Sequence, residues 1–181
     1  MASSKGTIRS LILADLGEGW PKLTTAMGQT LAEAASVCLS SQNHLDGVEL
    51  KVSGAFKTTY HLRWLSVTEQ MESTHNDLQD ATELGACGVA LLLIRDLTEY
   101  TVVKKAWKGG GFDYWLGLKT DPLFQEKARL EVSGILRGKA STLQARVQQK
   151  RRQVMPSDYL QLPAYIVVVA FDKPTARVEV T

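Results

Sequence analysis

Asp113 and Glu131 are the residues whose type and spacing first point to chemistry. Asp113 stands in Gly111-Phe112-Asp113-Tyr114-Trp115-Leu116 and Glu131 in Ala128-Arg129-Leu130-Glu131-Val132-Ser133-Gly134, and each segment reads as a short strand. Two carboxylates on adjacent strands, turned to one face and opposed across the pair, bring their oxygens together. Hard cations such as Mg²⁺ take their oxygen ligands from a few carboxylates plus waters. The chemistry to expect is activation of a water and neutralisation of charge on a leaving phosphate oxygen.

A positive group near the pair is the next requirement, and the sequence offers it on a helix. Leu143, Val147, Lys150 and Val154 share one stripe at heptad-like spacing, so Lys150 points where apolar residues point. A lysine on an apolar stripe either snorkels to the edge or meets an anion inside, and a carboxylate site would be such an anion. Arg129, two residues before Glu131 and on the same strand face, is a second candidate. Gln148, one turn from Gln144, is placed to orient a phosphate or a water. Between Lys119 and Arg152 nine basic residues face three acidic ones. That surplus suits a phosphate backbone, with Arg129, Arg146, Arg151 and Arg152 beside Gln148 as the contacts. The plain alternative is a solvated helix face.

The elements that must position these groups follow from periodicity. Leu23, Met27, Leu31, Ala35 and Cys38 predict a helix over Pro21 to Ser40, with Pro21 in its first turn. Val48, Leu50 and Val52 alternate with Glu49, Lys51 and Ser53, and with Ala55 to Val67 they predict a hairpin broken at Gly54. Met71 to His75 reads as a connection. Thr74 and Asp77 have capping-box spacing and predict a second helix from near His75 to about Leu97, apolar nearly all round from Cys87 to Ile94 and carrying Glu83. Strands are predicted at Tyr100 to Val103, Phe112 to Leu118 and Lys127 to Leu136. Ser141 and Gln144 form a capping-box pair that opens a third helix ending near Met155-Pro156. Ala164 to Phe171 is almost continuously apolar, as a strand covered on both faces would be.

Composition sets the class. At 181 residues, with 44% hydrophobic and 22% charged residues, the chain fits one globular domain with its own core. Val89 to Ile94 and Tyr165 to Phe171 are too short to span a bilayer. Met1 to Asp15, with Lys5 and Arg9, lacks the apolar region and cleavage site of a secretory leader, so a cytoplasmic location is expected. Cys38 and Cys87 fall in apolar helical stretches and read as core residues of a reducing compartment. Several other chemistries lack support. Gly109-Gly110-Gly111 has no Gly-Lys-Ser/Thr ending, and His44, His61 and His75 are scattered away from any nucleophile elbow. Glu49-Leu50-Lys51 is a Glu-x-Lys, but Asp46 is too near to belong to a preceding strand, and alternation accounts for it.

From Asp77 onward the predicted order is helix, strand, strand, strand, helix, strand. With Asp113 on the second of these strands and Glu131 on the third, the last hundred or so residues resemble the core of the PD-(D/E)XK, or restriction-endonuclease-like, nuclease superfamily. The resemblance implies an α/β (α+β) single domain with a central mixed sheet flanked by helices. Its αβββαβ core would span residues 73–181, extended by an N-terminal helix and hairpin in residues 1–72. It also implies Mg²⁺ or Mn²⁺ held by Asp113, Glu131 and the main-chain carbonyl of Val132, with Glu83 where some members place another acid. The activity implied is hydrolysis of phosphodiesters in nucleic acid, DNA before RNA, with a bacterial role in defence against foreign DNA.

The pattern departs from the family at Ser133, where a lysine is expected two residues after the glutamate. Lys150 is then the catalytic candidate, as some members carry that lysine on another element. The departure equally permits an inactive nuclease-fold subunit that binds or assembles, and leaves room for a homodimer or a partner subunit. A third reading makes Asp113 a strand-end acceptor and Glu131 an ion-pair partner of Arg129 or Lys127. The segments Gly111 to Leu116, Ala128 to Ile135 and Leu162 to Phe171 also look like an uncharacterised bacterial protein family, a likeness that carries no function.

Overall fold

A computed structural model describes residues 9–181; the part of the N-terminal expectation that concerns Met1 to Ile8, Lys5 included, lies outside them. One mixed sheet of eight strands organises the chain, in the spatial order β1-β3-β2-β8-β7-β6-β5-β4. β1 is Arg9–Ile12, β2 Val48–Gly54, β3 Thr58–Arg63 and β4 Tyr100–Lys105. β5 is Tyr114–Leu118, β6 Ala128–Ile135, β7 Ala164–Ala170 and β8 Thr175–Val180. Helices α1 (Thr25–Ser41) and α3 (Leu78–Leu97) contribute the main core with one sheet face, while α4 (Ala140–Val154) covers part of the other. This is the expected α/β architecture. Among the described residues no helix is long and apolar enough to cross a membrane.

Strand β7 shows why its sequence is continuously apolar. Val167 and Val169 enter the main core, whereas Ile166 and Val168 join Val147 and Val154 of α4 in a second, smaller core. Alternate residues thus face opposite layers, and both layers are dry. The all-round apolar stretch of α3 behaves likewise, with Val89 to Ile94 all buried. Two glycines permit close approach in that layer. A Cβ at Gly85 would lie 2.7 Å from the Ala35 Cα, and one at Gly134 would lie 2.4 Å from the Thr82 carbonyl oxygen. Gly134 thereby lets the first turns of α3 settle directly on β6, beside the residues of interest.

Several local expectations are corrected. Helix α1 starts at Thr25, not Pro21, because Thr24 Oγ1 accepts the Met27 N–H (3.3 Å) and acts as the cap. The connection expected at Met71 to His75 lies largely in a short helix, α2 (Glu69–Thr74), capped by Thr68. Asp77 is itself the cap of α3, its Oδ1 accepting from Gln79 N–H (2.9 Å) and Asp80 N–H (3.4 Å), so Thr74 does not open it. Ser141 and Gln144 do not cap α4 either. Lys139 occupies the cap position without a side-chain bond, and the approach is anchored from outside, where Asp172 Oδ2 accepts the Gly138 N–H (3.1 Å). Strand β3 ends at Arg63 rather than Val67, and β5 begins at Tyr114, which leaves Asp113 just before it.

Strands β1 and β8 are absent from the sequence reading, and β8 changes the plan. It pairs antiparallel with β7 and parallel with β2, Lys51 opposite Thr175. Strands β1, β2 and β3 therefore extend one continuous sheet with the rest. The hairpin itself is as expected, β2 and β3 antiparallel with Leu50 opposite Tyr60.

A carboxylate and lysine cleft between two helices

Strand pairing positions the acids. In the antiparallel ladder of β5 and β6, Tyr114 opposes Leu130 and Trp115 opposes Arg129; Asp113, one residue before β5, brings its carboxyl against that of Glu131 on β6. The Asp113 main chain is held on both sides. Its N–H donates to the Leu130 carbonyl (2.9 Å), and its carbonyl accepts from Ala106 N–H (2.8 Å). Asp113 Oδ2 also accepts the Val132 N–H (2.8 Å), which locks the side chain along the open end of β6.

Alternation along β6 sends Leu130 and Val132 into the core beneath α3 and Arg129, Glu131 and Ser133 toward α4. A helix advances about 6 Å over four residues and a strand about 6.6 Å over two, so α4 and β6 can match side chain for side chain. Arg146 Nη1 donates to Ser133 Oγ (3.0 Å), and one turn later Lys150 Nζ donates to Glu131 Oε1 (2.5 Å). Lys150 is held there between buried Val147 and Val154, its side chain 17% exposed. Snorkelling is thus the lesser part of its behaviour. Ser133 serves as an acceptor for Arg146, and the ammonium that meets Glu131 comes from the facing helix.

Glu131 is fully buried, and its second oxygen, Oε2, has no hydrogen-bond partner. Burial, and then the negative charge of Asp113, push its carboxyl up to about 7, against the pull of Lys150. Cys87 on α3 reports the same field. Its thiol is pushed up to about 12, by burial first and Asp113 second, beside the Tyr114 hydroxyl. The cleft above these groups, about 360 Å³, opens between α3 and α4 and is lined by Glu83, Lys105, Asp113, Ser133, Arg146 and Lys150, among others.

The remaining candidates separate by location. Glu83 is exposed on the cleft wall, with Asp80 one turn before it, and neither joins the pair: among the described residues no three His, Cys, Asp or Glu side chains converge on one point. Arg129 is corrected as a phosphate contact. It is 2% exposed, and its guanidinium donates to Ser157 Oγ (2.5 Å), Asp158 Oδ1 (3.1 Å) and the Leu162 carbonyl (2.6 Å). It fastens the 3-10 turn Met155–Leu160 under the sheet. Neither Arg129 nor Lys127 pairs with Glu131; Lys150 does. Gln148, Arg151 and Arg152 are exposed on α4 and do not line the cleft. Lys105, at the end of β4, does line it, and sequence reasoning missed it because nothing local distinguishes it from Lys104.

Two carboxylates suit a small, hard cation, which commonly takes one or two carboxylates and completes its shell with water. No donor reaches the buried Glu131 Oε2, and the Asp113 carboxyl lies within hydrogen-bond reach of Glu131, so two acids share one small space with Lys150. In a β-strand the N–H and C=O of one residue point the same way, so the Val132 carbonyl faces the Asp113 side, as its N–H does. The donor set therefore fits the metal that the resemblance implies. No protein-family model, curated protein or solved structure matches the chain.

Proposed function

We propose that the cleft is the active site of a metal-dependent nuclease acting on phosphodiesters of nucleic acid, with DNA the first substrate to test. The observation that carries the reading is the meeting of Lys150 Nζ with Glu131 Oε1 at 2.5 Å, beside the Asp113 carboxylate. Three charged groups from a strand end, a strand and a helix converge where folding alone gains little from them. Burying an ion pair costs desolvation that its attraction only partly repays. Such a cluster is more readily explained by chemistry than by stability.

Asp113, Glu131 and the Val132 carbonyl would hold Mg²⁺ or Mn²⁺. Such an ion, when bound, neutralises phosphate charge and makes a water more acidic. Lys150 and Arg146 place positive charge on the α4 wall, where it opposes charge building on the phosphate oxygens. Asp113 lines the cleft and is oriented by the Val132 N–H rather than turning with solvent. The order α3, β4, β5, β6, α4, β7 also agrees with what the resemblance implies. The test is incubation of the protein with double-stranded DNA, single-stranded DNA and RNA in Mg²⁺ or Mn²⁺. Cleavage is expected, and it should vanish in Asp113→Ala and Glu131→Ala variants that remain folded.

One observation favours a second reading, a subunit that keeps the architecture without activity. Lys150 already occupies one Glu131 oxygen, and among the described residues no third acid converges. That reading predicts salt-sensitive nucleic-acid binding, or a stable protein complex, indifferent to Asp113→Ala.

A further inference from the structure

A second groove, about 540 Å³, adjoins the cleft and shares Lys105 and Asp113 with it. Its outer wall is the β4 to β5 loop, which carries Trp107 at 88% exposure. This indole differs from the other three. Trp20 is buried in the core, Trp64 is half-buried, and Trp115 is half-buried against Phe112, ring centroids 4.8 Å apart. Trp107 packs into no core, so its size gains nothing for folding.

The loop that presents it is nonetheless well fixed. Gly110 N–H donates to the Trp107 carbonyl (3.0 Å), closing a tight turn, and Gly109 and Gly111 take φ of +89° and +84°, where glycine is favoured. A Cβ at Gly111 would stand 2.7 Å from the Gln153 carbonyl oxygen, so the loop rests directly on the last turn of α4. Charge in the groove is unbalanced. Lys104 spends its charge on Glu126, whereas Lys105 and Lys108 pair with no described residue and line the groove with Trp107. A large planar apolar surface flanked by free ammonium groups matches a chain that alternates flat rings with phosphates. In a duplex the faces of the bases are covered by stacking, so only an unpaired base offers its face to an indole.

We propose that this groove binds a single strand of nucleic acid, one unpaired base stacking on Trp107 while adjacent phosphates meet Lys105 and Lys108, so that the strand is led to Asp113. The assignment rests on the reading of the adjoining cleft as a nucleic-acid site, and it names the substrate form as single-stranded, flapped or frayed. Because Trp107 is exposed and outside the core, its replacement leaves folding intact.

The test is a titration of the native protein with a short oligothymidylate in EDTA, where cleavage cannot occur, followed by indole fluorescence. Binding should quench the emission. Trp107→Ala should abolish most of the quench and weaken affinity about tenfold, within the usual effect of removing one stacking partner. Trp107→Phe should retain most of the affinity, and a blunt duplex should bind both variants and the native protein alike. An oligouridylate arm separates ribose from deoxyribose strands, and Trp107-dependent binding of either supports the site. Equal oligothymidylate and oligouridylate affinity in native and Trp107→Ala proteins would overturn it. Metal-dependent cleavage without any Trp107 dependence sinks this assignment alone. Trp107-dependent binding without cleavage in any metal removes the nuclease reading and leaves this one standing.

Discussion

Replacing Glu131 by Gln separates the two forces acting on the buried carboxylate. Burial and Asp113 raise the folded-state carboxyl from its ordinary 4.5 to about 7, so the folded protein binds that proton more tightly than the unfolded chain. Native stability must then fall as pH rises from about 4.5 to about 7, and level off above it. Over that window one group contributes a loss of about 3 kcal/mol, from the shift and 1.36 kcal/mol per pKa unit. Glu131→Gln keeps the shape and removes the titration. It also strands the Lys150 ammonium, but that cost is constant wherever lysine stays charged, so it cancels when one pH is compared with another. The assay is urea unfolding of both proteins at about pH 5 and about pH 8, read as the difference between them at each pH. Relative to the native protein, the variant should gain about 3 kcal/mol between the two, or roughly 6–12 °C in Tm. A difference that stays flat would show that Lys150 holds the carboxylate ionised throughout. One of opposite sign would show that the ion pair outweighs burial, and either result refutes the reasoning.

Lys150→Met should abolish metal-dependent cleavage while leaving the fold in place, because the thioether still fills the space between Val147 and Val154; adding Ser133→Lys should return part of the activity if only an ammonium beside Glu131 is required. Kinetics of the single and double variants check this. Arg129→Ala should cost about 3 kcal/mol of stability by urea unfolding, since the buried Ser157 hydroxyl and the half-buried Leu162 carbonyl lose their donor and a cavity forms, and Arg129→Lys should not rescue it because one ammonium cannot span three acceptors. Gly134→Ala should lower Tm and weaken cleavage together, because its Cβ would meet the Thr82 carbonyl at 2.4 Å and push α3 from the cleft wall.

The parts of this molecule legible in its sequence are those with a strong local period. The apolar run of β7, the all-round apolar α3 and the alternating β2 each carry their environment in their own residues. Lys150 was legible for the same reason: a charge on an apolar stripe needs an explanation, and Glu131 provides it. Helix starts were less so. Thr24 displaces Pro21 at the start of α1, Asp77 caps α3 without Thr74, and the Asp172 anchor of Gly138 stands in for the Ser141 and Gln144 pair, because several competent residues lie near each first turn and the sequence alone does not rank them. Strand β8 did carry a signal, Ala176 and Val178 alternating with Arg177 and Glu179, but its partner β2 lies over a hundred residues away, and no local pattern reveals that pairing. Arg129 shows the limit for single residues. Its strand face was legible, yet whether that face met solvent or Ser157 depended on where the chain returned after α4.

The central claim, that Asp113 and Glu131 jointly hold a divalent cation, is tested most directly by Mn²⁺ binding followed by electron paramagnetic resonance on the native protein and on Asp113→Asn. The account predicts saturable Mn²⁺ binding that is displaced by Mg²⁺, tightens as pH rises past the Glu131 carboxyl's value of about 7, and is lost in the variant. Equal Mn²⁺ spectra for the two folded proteins across that range would contradict it.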